Sequence, residues 1–191
     1  GKALQSGTSH NLGQNFAKAF EIRYLDQQGT LQHCWTTSWG LSTRFIGAII
    51  MVHGDDQGLI FPPRLAPFQV IIVPIYKNDE EKTAVMGAVA KIRAELIAAQ
   101  IRVKTDEREG FSPGYKFNDW EMRGVPLRIE IGPRDVAKGT VVLARRDRPG
   151  KEGKSFVSRD NLAAAVEKML VEVQRSLYER ALAFRKANTV E

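Results

Sequence analysis

Residues 68–75, "FQVIIVPI", constrain this chain more than any other stretch. So short and so apolar a run makes a buried strand, the kind found in sheets covered by helices. The segments after it alternate cleanly. Asp79 can cap a helix reaching about Gln100, with Val85, Val89, Ile92, Leu96 and Ile97 as its inner stripe. "IRVKTD" at 101–106 reads as a strand, and "SPGYKFNDWEMRG" at 112–124 as a short helix with Gly124 near its exit. "VPLRIEIG" at 125–132 alternates apolar and charged residues, the pattern of a half-exposed strand, and "GTVVLARR" at 139–146 reads as another strand. Residues 146–153 form a charged turn and "KSFVS" at 154–158 a final strand. From Asp160 to about Lys186 an amphipathic helix sets Leu162, Val166, Leu170 and Val173 on one face. Strand, helix, strand, helix, strand predicts a small α/β domain with a mixed sheet.

The preceding segment is organised differently. Strand-like stretches lie at 18–25 and 31–39, joined by a turn at Asp26–Gly29. Gly40 breaks the second, and the spacing of Phe45, Ile46, Ile49 and Ile50 predicts a helix over 41–53 with those residues on its buried face. The Gly- and Pro-punctuated run "GDDQGLIFPPRLAP" follows, so the domain boundary falls within Pro62–Pro67. The expected division is 1–65, then 66–160, then a C-terminal helix over 161–191.

With 43% hydrophobic and 26% charged residues, the 191-residue chain has ordinary globular composition. No apolar run approaches a membrane span, and no charged-then-apolar leader stands at the start. The first residue is Gly rather than Met, as expected of a fragment. Its one cysteine, Cys34, excludes an internal disulfide and a cysteine-rich zinc site, and fits a reducing, cytoplasmic setting. The net charge of +6 is uneven: residues 1–66 carry five Lys/Arg and four Asp/Glu, residues 67–191 the other 23 and 18. A basic second half suits an RNA backbone, although a merely soluble basic domain has the same balance.

Three constellations carry chemistry. In "LQSGTSHNLGQNFAKAFEI" at 4–22, Gln5, Thr8, Ser9, His10, Asn11, Gln14 and Asn15 crowd around Gly7 and Gly13. Glycines admit a ligand close to the backbone, and amides and hydroxyls give directional hydrogen bonds; a polar loop with one exposed histidine reads from the same residues. In "SWGLSTRFIGAII" at 38–50, Gly40 permits a sharp turn and a helix begins near Ser42 and Thr43, with Arg44 in its first turn. Free N–H groups, a helix dipole and a guanidinium together suit a phosphate, unless Arg44 is a surface residue beside a serine cap. "HGDDQG" at 53–58 has too few and too local ligands for a metal and reads as a turn. In "GYKFNDWEMRGVPLRIEIGPRD" at 114–135, Tyr115, Phe117 and Trp120 interleave with Lys116, Glu121, Arg123, Arg128, Glu130 and Arg134. Such residues stack on and hydrogen-bond unpaired bases, and arginine matches guanine's acceptor edge while glutamate takes its N–H edge. Phe117 and Trp120 as core beneath a solvated charged face is the plainer alternative.

Taken together, these stretches resemble prolyl-tRNA synthetase, a class II aminoacyl-tRNA synthetase, in its archaeal- and eukaryote-like form. "GTSHNLGQNFAKAF", "SWGLSTRFIGAIIMVHGDDQGL", "PPRLAPFQVIIVPI" and "PGYKFNDWEMRGVPLRIEIGPRD" stand in the family's order and spacing, and the match runs essentially end to end. The resemblance implies that 1–65 is the end of an antiparallel-sheet catalytic core including motif 3, and that an α/β anticodon-binding domain follows. It places Gln5, Thr8, Ser42 and Arg44 at ATP, His10 in the proline pocket, and Arg44 and His10 as the catalytic pair of positions. Phe117, Glu121, Arg128 and Arg134 fall at anticodon contacts, Glu121 and Arg128 reading a guanine, while Lys151 and Lys154 add affinity without base preference. The implied reaction is ATP-dependent activation of L-proline, with Mg2+, and its transfer to proline tRNA, by a parent that is a homodimer. Motifs 1 and 2 are expected upstream and a C-terminal, often zinc-bearing, domain after Asn188; alone, the chain is expected not to form prolyl-adenylate. The competing reading is a non-catalytic RNA-binding module derived from such a synthetase.

Overall fold

The computed structural model of the chain describes residues 4–148 and 150–190. Contacts divide it into two compact units, Gly1–Met51 and Val52–Glu191.

In the first unit, β1 (Thr8–Gly13) pairs antiparallel with β4 (Thr36–Gly40), Thr8 opposite Gly40 and His10 opposite Ser38. Between them lie α1 (Asn15–Ala19) and the hairpin β2 (Arg23–Leu25) with β3 (Leu31–His33). The strand expected over 18–25 is therefore part helix. Its alternating pattern hides a helical turn around Ala17, which is fully buried, and Glu21 at φ 53° then reverses the chain. The strand expected over 31–39 breaks at Cys34 and Trp35, and the Asp26–Gly29 turn forms as read, with Gly29 N–H donating to Asp26 O at 3.0 Å.

α2 (Arg44–Val52) forms where its spacing predicts, but its apolar face is not buried. Phe45, Ile46 and Ile50 are 37%, 62% and 50% exposed, and Trp39 reaches 83%. Two two-stranded sheets and one short helix give too little surface to cover them. The correction is physical: periodicity shows which residues share a face, not whether anything lies against it.

The second unit has a real core. Its sheet runs β11–β10–β9–β7–β8, with β7 (Val70–Pro74) parallel to both β8 (Val103–Thr105) and β9 (Leu127–Ile131). β10 (Thr140–Arg145) and β11 (Lys154–Ser158) extend it antiparallel, so the sheet is mixed, as expected. A hairpin of β5 (Gly54–Asp55) and β6 (Gly58–Leu59) precedes it. α3 (Asp79–Ala98), α5 (Pro133–Lys138) and α6 (Leu162–Asn188) cover one face, where Val70, Ile72, Leu127, Ile129, Leu143, Val85, Ile92, Leu96 and Val166 form the main core. α4 (Pro113–Met122) covers the other, setting Trp120 against Ile71, Val73 and Val125.

Three local expectations change here. Asn78, not Asp79, caps α3: its extended backbone lets Oδ1 accept from Glu81 N–H at 2.9 Å, while Glu81 reaches back to Lys77 N–H at 2.8 Å. Ile97 is 51% exposed, because it lies about 100° around the helix from Leu96. β9 is not half-exposed. Arg128 lies between Ile71 and Ala144, Glu130 between Val73 and Val142, and both are buried because α4 lies over that face. α5 was not foreseen; Asp135 accepts from Gly132 N–H at 2.9 Å and fixes its start. No helix among the described residues is long and apolar enough to cross a membrane.

Candidate functional site

Residues i and i+2 of a strand share a face, and residues i and i+4 of a helix share a side. Arg128 and Glu130 on β9 therefore meet Phe117 and Glu121 on α4. Ser112 caps that helix, accepting from Tyr115 N–H at 3.3 Å, with Pro113 at its first position. Arg128 Nη1 donates to Glu121 Oε1 at 2.6 Å, and Nε and Nη2 donate to Glu130 Oε1 at 3.1 and 2.9 Å. The guanidinium carbon stands 4.0 Å from the centroid of the Phe117 ring, in cation–π contact. Lys154, on β11, closes the group with Nζ 2.8 Å from Glu130 Oε1 and 3.0 Å from Oε2.

Two cations and two carboxylates thus balance within one cluster. Burial is unequal: the Arg128 and Glu130 side chains are 8% and 10% exposed, Glu121 and Lys154 32% and 38%. A cavity of about 160 Å³ opens beside it, lined in part by Trp120, Glu121, Arg128 and Lys154. The arrangement offers a stacked, oriented guanidinium and a half-exposed carboxylate on one wall, which matches the hydrogen-bonding edges of a guanine.

Trp120 anchors α4 through a second buried group. Its Nε1 donates to Asp106 Oδ2 at 2.7 Å, and Arg108 donates to the same carboxylate from Nε and Nη2 at 2.9 and 2.7 Å. Burial pushes the Asp106 carboxyl up, but the Arg108 and Trp120 hydrogen bonds outweigh it and hold it down to about 2. Arg108, Arg123 and Lys104 surround the Trp120 ring at 5.0–5.9 Å.

In the first unit, Gln5, Thr8, Gly40, Ser42 and Arg44 line one cavity of about 320 Å³. Arg44 Nη1 donates to Gln5 Oε1 at 3.0 Å. Of its eight lining residues one is a cation and none is a carboxylate, a set suited to phosphate oxygens. His10 lies two residues along β1 from Thr8, exposed and outside that lining.

Of the expected site residues, the fold brings Phe117, Glu121 and Arg128 together and collects Gln5, Thr8, Ser42 and Arg44. Arg134 is not among them: it is exposed on α5, beyond the far end of β9 from Arg128. Lys154, expected only as a backbone contact, is part of the Arg128 cluster. Glu130 stands among the charged residues noted at 114–135 but was given no contact role, and Asp106 and Arg146 carried no site expectation. The Arg128-x-Glu130 spacing on a strand is a legible signal for the first. Arg146, which pairs with Asp55 across 91 positions, left none.

Comparison with known proteins places these sites in context. The family model described as the anticodon binding domain matches residues 69–169. Proline–tRNA ligase of Chloroflexus aggregans is 62% identical over 191 residues, which is all of this chain and 40% of that protein. The chloroplastic/mitochondrial proline–tRNA ligase of Arabidopsis thaliana is 55% identical over 193 aligned residues, all of this chain and 36% of that protein. That of Cytophaga hutchinsonii is 52% identical over 189, covering 99% and 38%. The chain spans about two-fifths of the length of the curated relatives it matches.

Proposed function

The chain belongs to the prolyl-tRNA synthetase family through its anticodon-binding domain, and on that premise we propose that it reads the proline anticodon for a proline–tRNA ligase. The observation that carries this reading is the Arg128 guanidinium, buried, stacked on Phe117 and anchored by Glu130, beside the half-exposed Glu121.

Anchoring and exposure divide the work. Glu130 keeps Nε and Nη2 of Arg128, so the guanidinium plane stays fixed when a base arrives. Glu121 holds only Nη1 and is a third exposed, so it is the carboxylate that moves. It exchanges that N–H for the N1–H and N2–H of a guanine, and the freed Nη1 N–H of Arg128, its plane unchanged, donates to O6. An adenine offers neither donor to Glu121 and no O6 to Arg128. Phe117 supplies the apolar wall. Arg134 serves the neighbouring part of the anticodon loop, and Lys151 adds charge at the rim.

Residues 1–65 are the end of a catalytic core in this reading, and the exposed face of α2 is where the rest of that core packs. Arg44 neutralises triphosphate charge as the proline carboxylate attacks the α-phosphate, the α–β phosphoanhydride bond breaks and pyrophosphate leaves, with Gln5, Thr8 and Ser42 holding the nucleotide. Mg2+ bound with ATP would supply the further positive charge on the phosphates that one arginine does not. His10 belongs to the proline pocket. Retention of Gln5, Thr8, Ser42 and Arg44 around one cavity favours a ligase over a binding-only module, which has no use for them. The parent works in the cytoplasm or an equivalent reducing compartment as a homodimer.

Binding of the 191-residue chain to RNA stem-loops tests the reading. The loop with the proline anticodon should bind more tightly than one in which its guanines are adenines. Arg128→Ala should weaken the guanine loop by about 1–3 kcal/mol and the adenine loop much less. Equal losses on both loops would make Arg128 a phosphate contact and end the proposal. Proline-dependent ATP–pyrophosphate exchange should be absent from the chain alone; robust exchange would show that 1–65 needs no further core.

A further inference from the structure

Two glycines let the β5–β6 hairpin press against the C-terminal end of α4. A Cβ on Gly58, at φ +122°, would lie 2.5 Å from Cα and O of Met122. One on Gly124, at φ +75°, would lie 2.5 Å from Leu59 Cβ. Only glycine tolerates both the backbone conformation and the approach. Phe61 N–H then donates to Gly124 O at 3.0 Å.

Arg146 closes the joint. It is 4% exposed, and its Nη1 donates to Asp55 Oδ2 at 2.9 Å while Nη2 bonds to Asp55 Oδ1 and reaches Gly58 O at 3.3 Å. Nε donates to the main-chain carbonyl of Glu121 at 2.9 Å. One guanidinium therefore links the hairpin to the residue whose side chain holds Arg128. The pair is favourable enough that the Arg146 hydrogen bonds draw the Asp55 carboxyl below its ordinary range.

We propose that the hairpin at 54–59, locked by Asp55 and Arg146, is a positioning element of the guanine reader. The last carbonyls of a helix have no intrahelical donors, and last turns fray. Glu121 sits in that last turn, and Gly124 N–H and Arg146 Nε both donate to its carbonyl. A bidentate Arg–carboxylate pair has defined geometry, so Asp55 fixes the guanidinium and the guanidinium fixes the helix end. With Asp55 neutralised, Glu121 samples positions that do not meet the base edge. Among the described residues Asp55 shares no hydrogen bond or ion pair with Arg128 or Glu130, so its influence on base choice runs through Arg146.

This role rests on the guanine reading above, and one experiment separates the two. Affinities of the 191-residue chain for the guanine and adenine stem-loops are measured for wild type, Asp55→Asn and Asp55→Glu. Asp55 is partly exposed, so both variants should fold, and far-UV circular dichroism with thermal melting checks it. Asp55→Asn should lower the guanine-to-adenine preference by about 3- to 10-fold, mostly through the guanine loop, and Asp55→Glu should restore most of it. An unchanged preference in Asp55→Asn, or equal weakening on both loops, would reduce the clamp to a purely structural brace. A wild-type chain without preference would remove the guanine reading itself, and the positioning role with it.

Discussion

A single oxygen of Glu130 accepts from two nitrogens of Arg128, Nε at 3.1 Å and Nη2 at 2.9 Å, beneath a helix that shuts both side chains away from water. Lys154 bonds to the same carboxylate, so one buried anion orders two cations. Isolated, any of these charges would be costly to bury; joined, they set a guanidinium in one plane.

Glu130→Gln tests that ordering. The amide keeps the shape and an acceptor but loses the charge, and its NH2 faces two cations. We expect a stability loss of about 1–3 kcal/mol, because hydrogen bonds to a charged group become bonds to a neutral one in a buried site. Urea unfolding should show a lower midpoint at unchanged slope, together with a smaller preference for the guanine loop. A variant as stable as wild type would mean that Glu121 and the Phe117 ring suffice to hold Arg128.

Asp106 gives a prediction in pH. Its carboxyl lies at about 2 in the fold against an ordinary 3.8, so the unfolded chain takes up this proton at a higher pH than the folded chain. The contribution, about 2 kcal/mol from the size of that displacement, is complete above about pH 4 and is lost as the pH falls toward 2. Asp106→Asn should remove this part of the acid sensitivity while lowering stability at neutral pH. Parallel stability–pH curves for the two proteins between pH 2 and about 5 would contradict the assignment.

The two units should respond oppositely to truncation. Leu143→Ala empties a fully buried position between sheet and helices and should cost about 2–5 kcal/mol. Ile46→Ala removes a side chain that is 62% exposed, and in this chain should change the main melting transition by less than about 0.5 kcal/mol. A large loss at Ile46 would show that the α2 face is covered after all.

Much of the second unit is legible in the sequence. β7, α3, α4, β10, β11 and α6 follow from apolar run length, 3.6-residue spacing and Gly124 at a helix exit, which are local properties of a chain. The association of Phe117, Glu121 and Arg128 was legible through resemblance, and their i, i+4 spacing on α4 agrees with it. What failed did so for one kind of reason. β9 looked half-exposed, since Arg128 and Glu130 alternate with Leu127, Ile129 and Ile131; α2 looked half-buried, since Phe45, Ile46, Ile49 and Ile50 share a face.

By itself the sequence determined which residues share a face, where helices begin and turn, and which family's motifs the chain carries. Only the tertiary structure decided what each face meets: α4 over Arg128 and Glu130, and little over Ile46. It alone joined Arg146 to Asp55 and Asp106 to Trp120. The reason is range. Periodicity and capping act over a few residues, whereas burial, and with it the strength of every charge pair in the site, depends on segments brought together from 91 positions away and more.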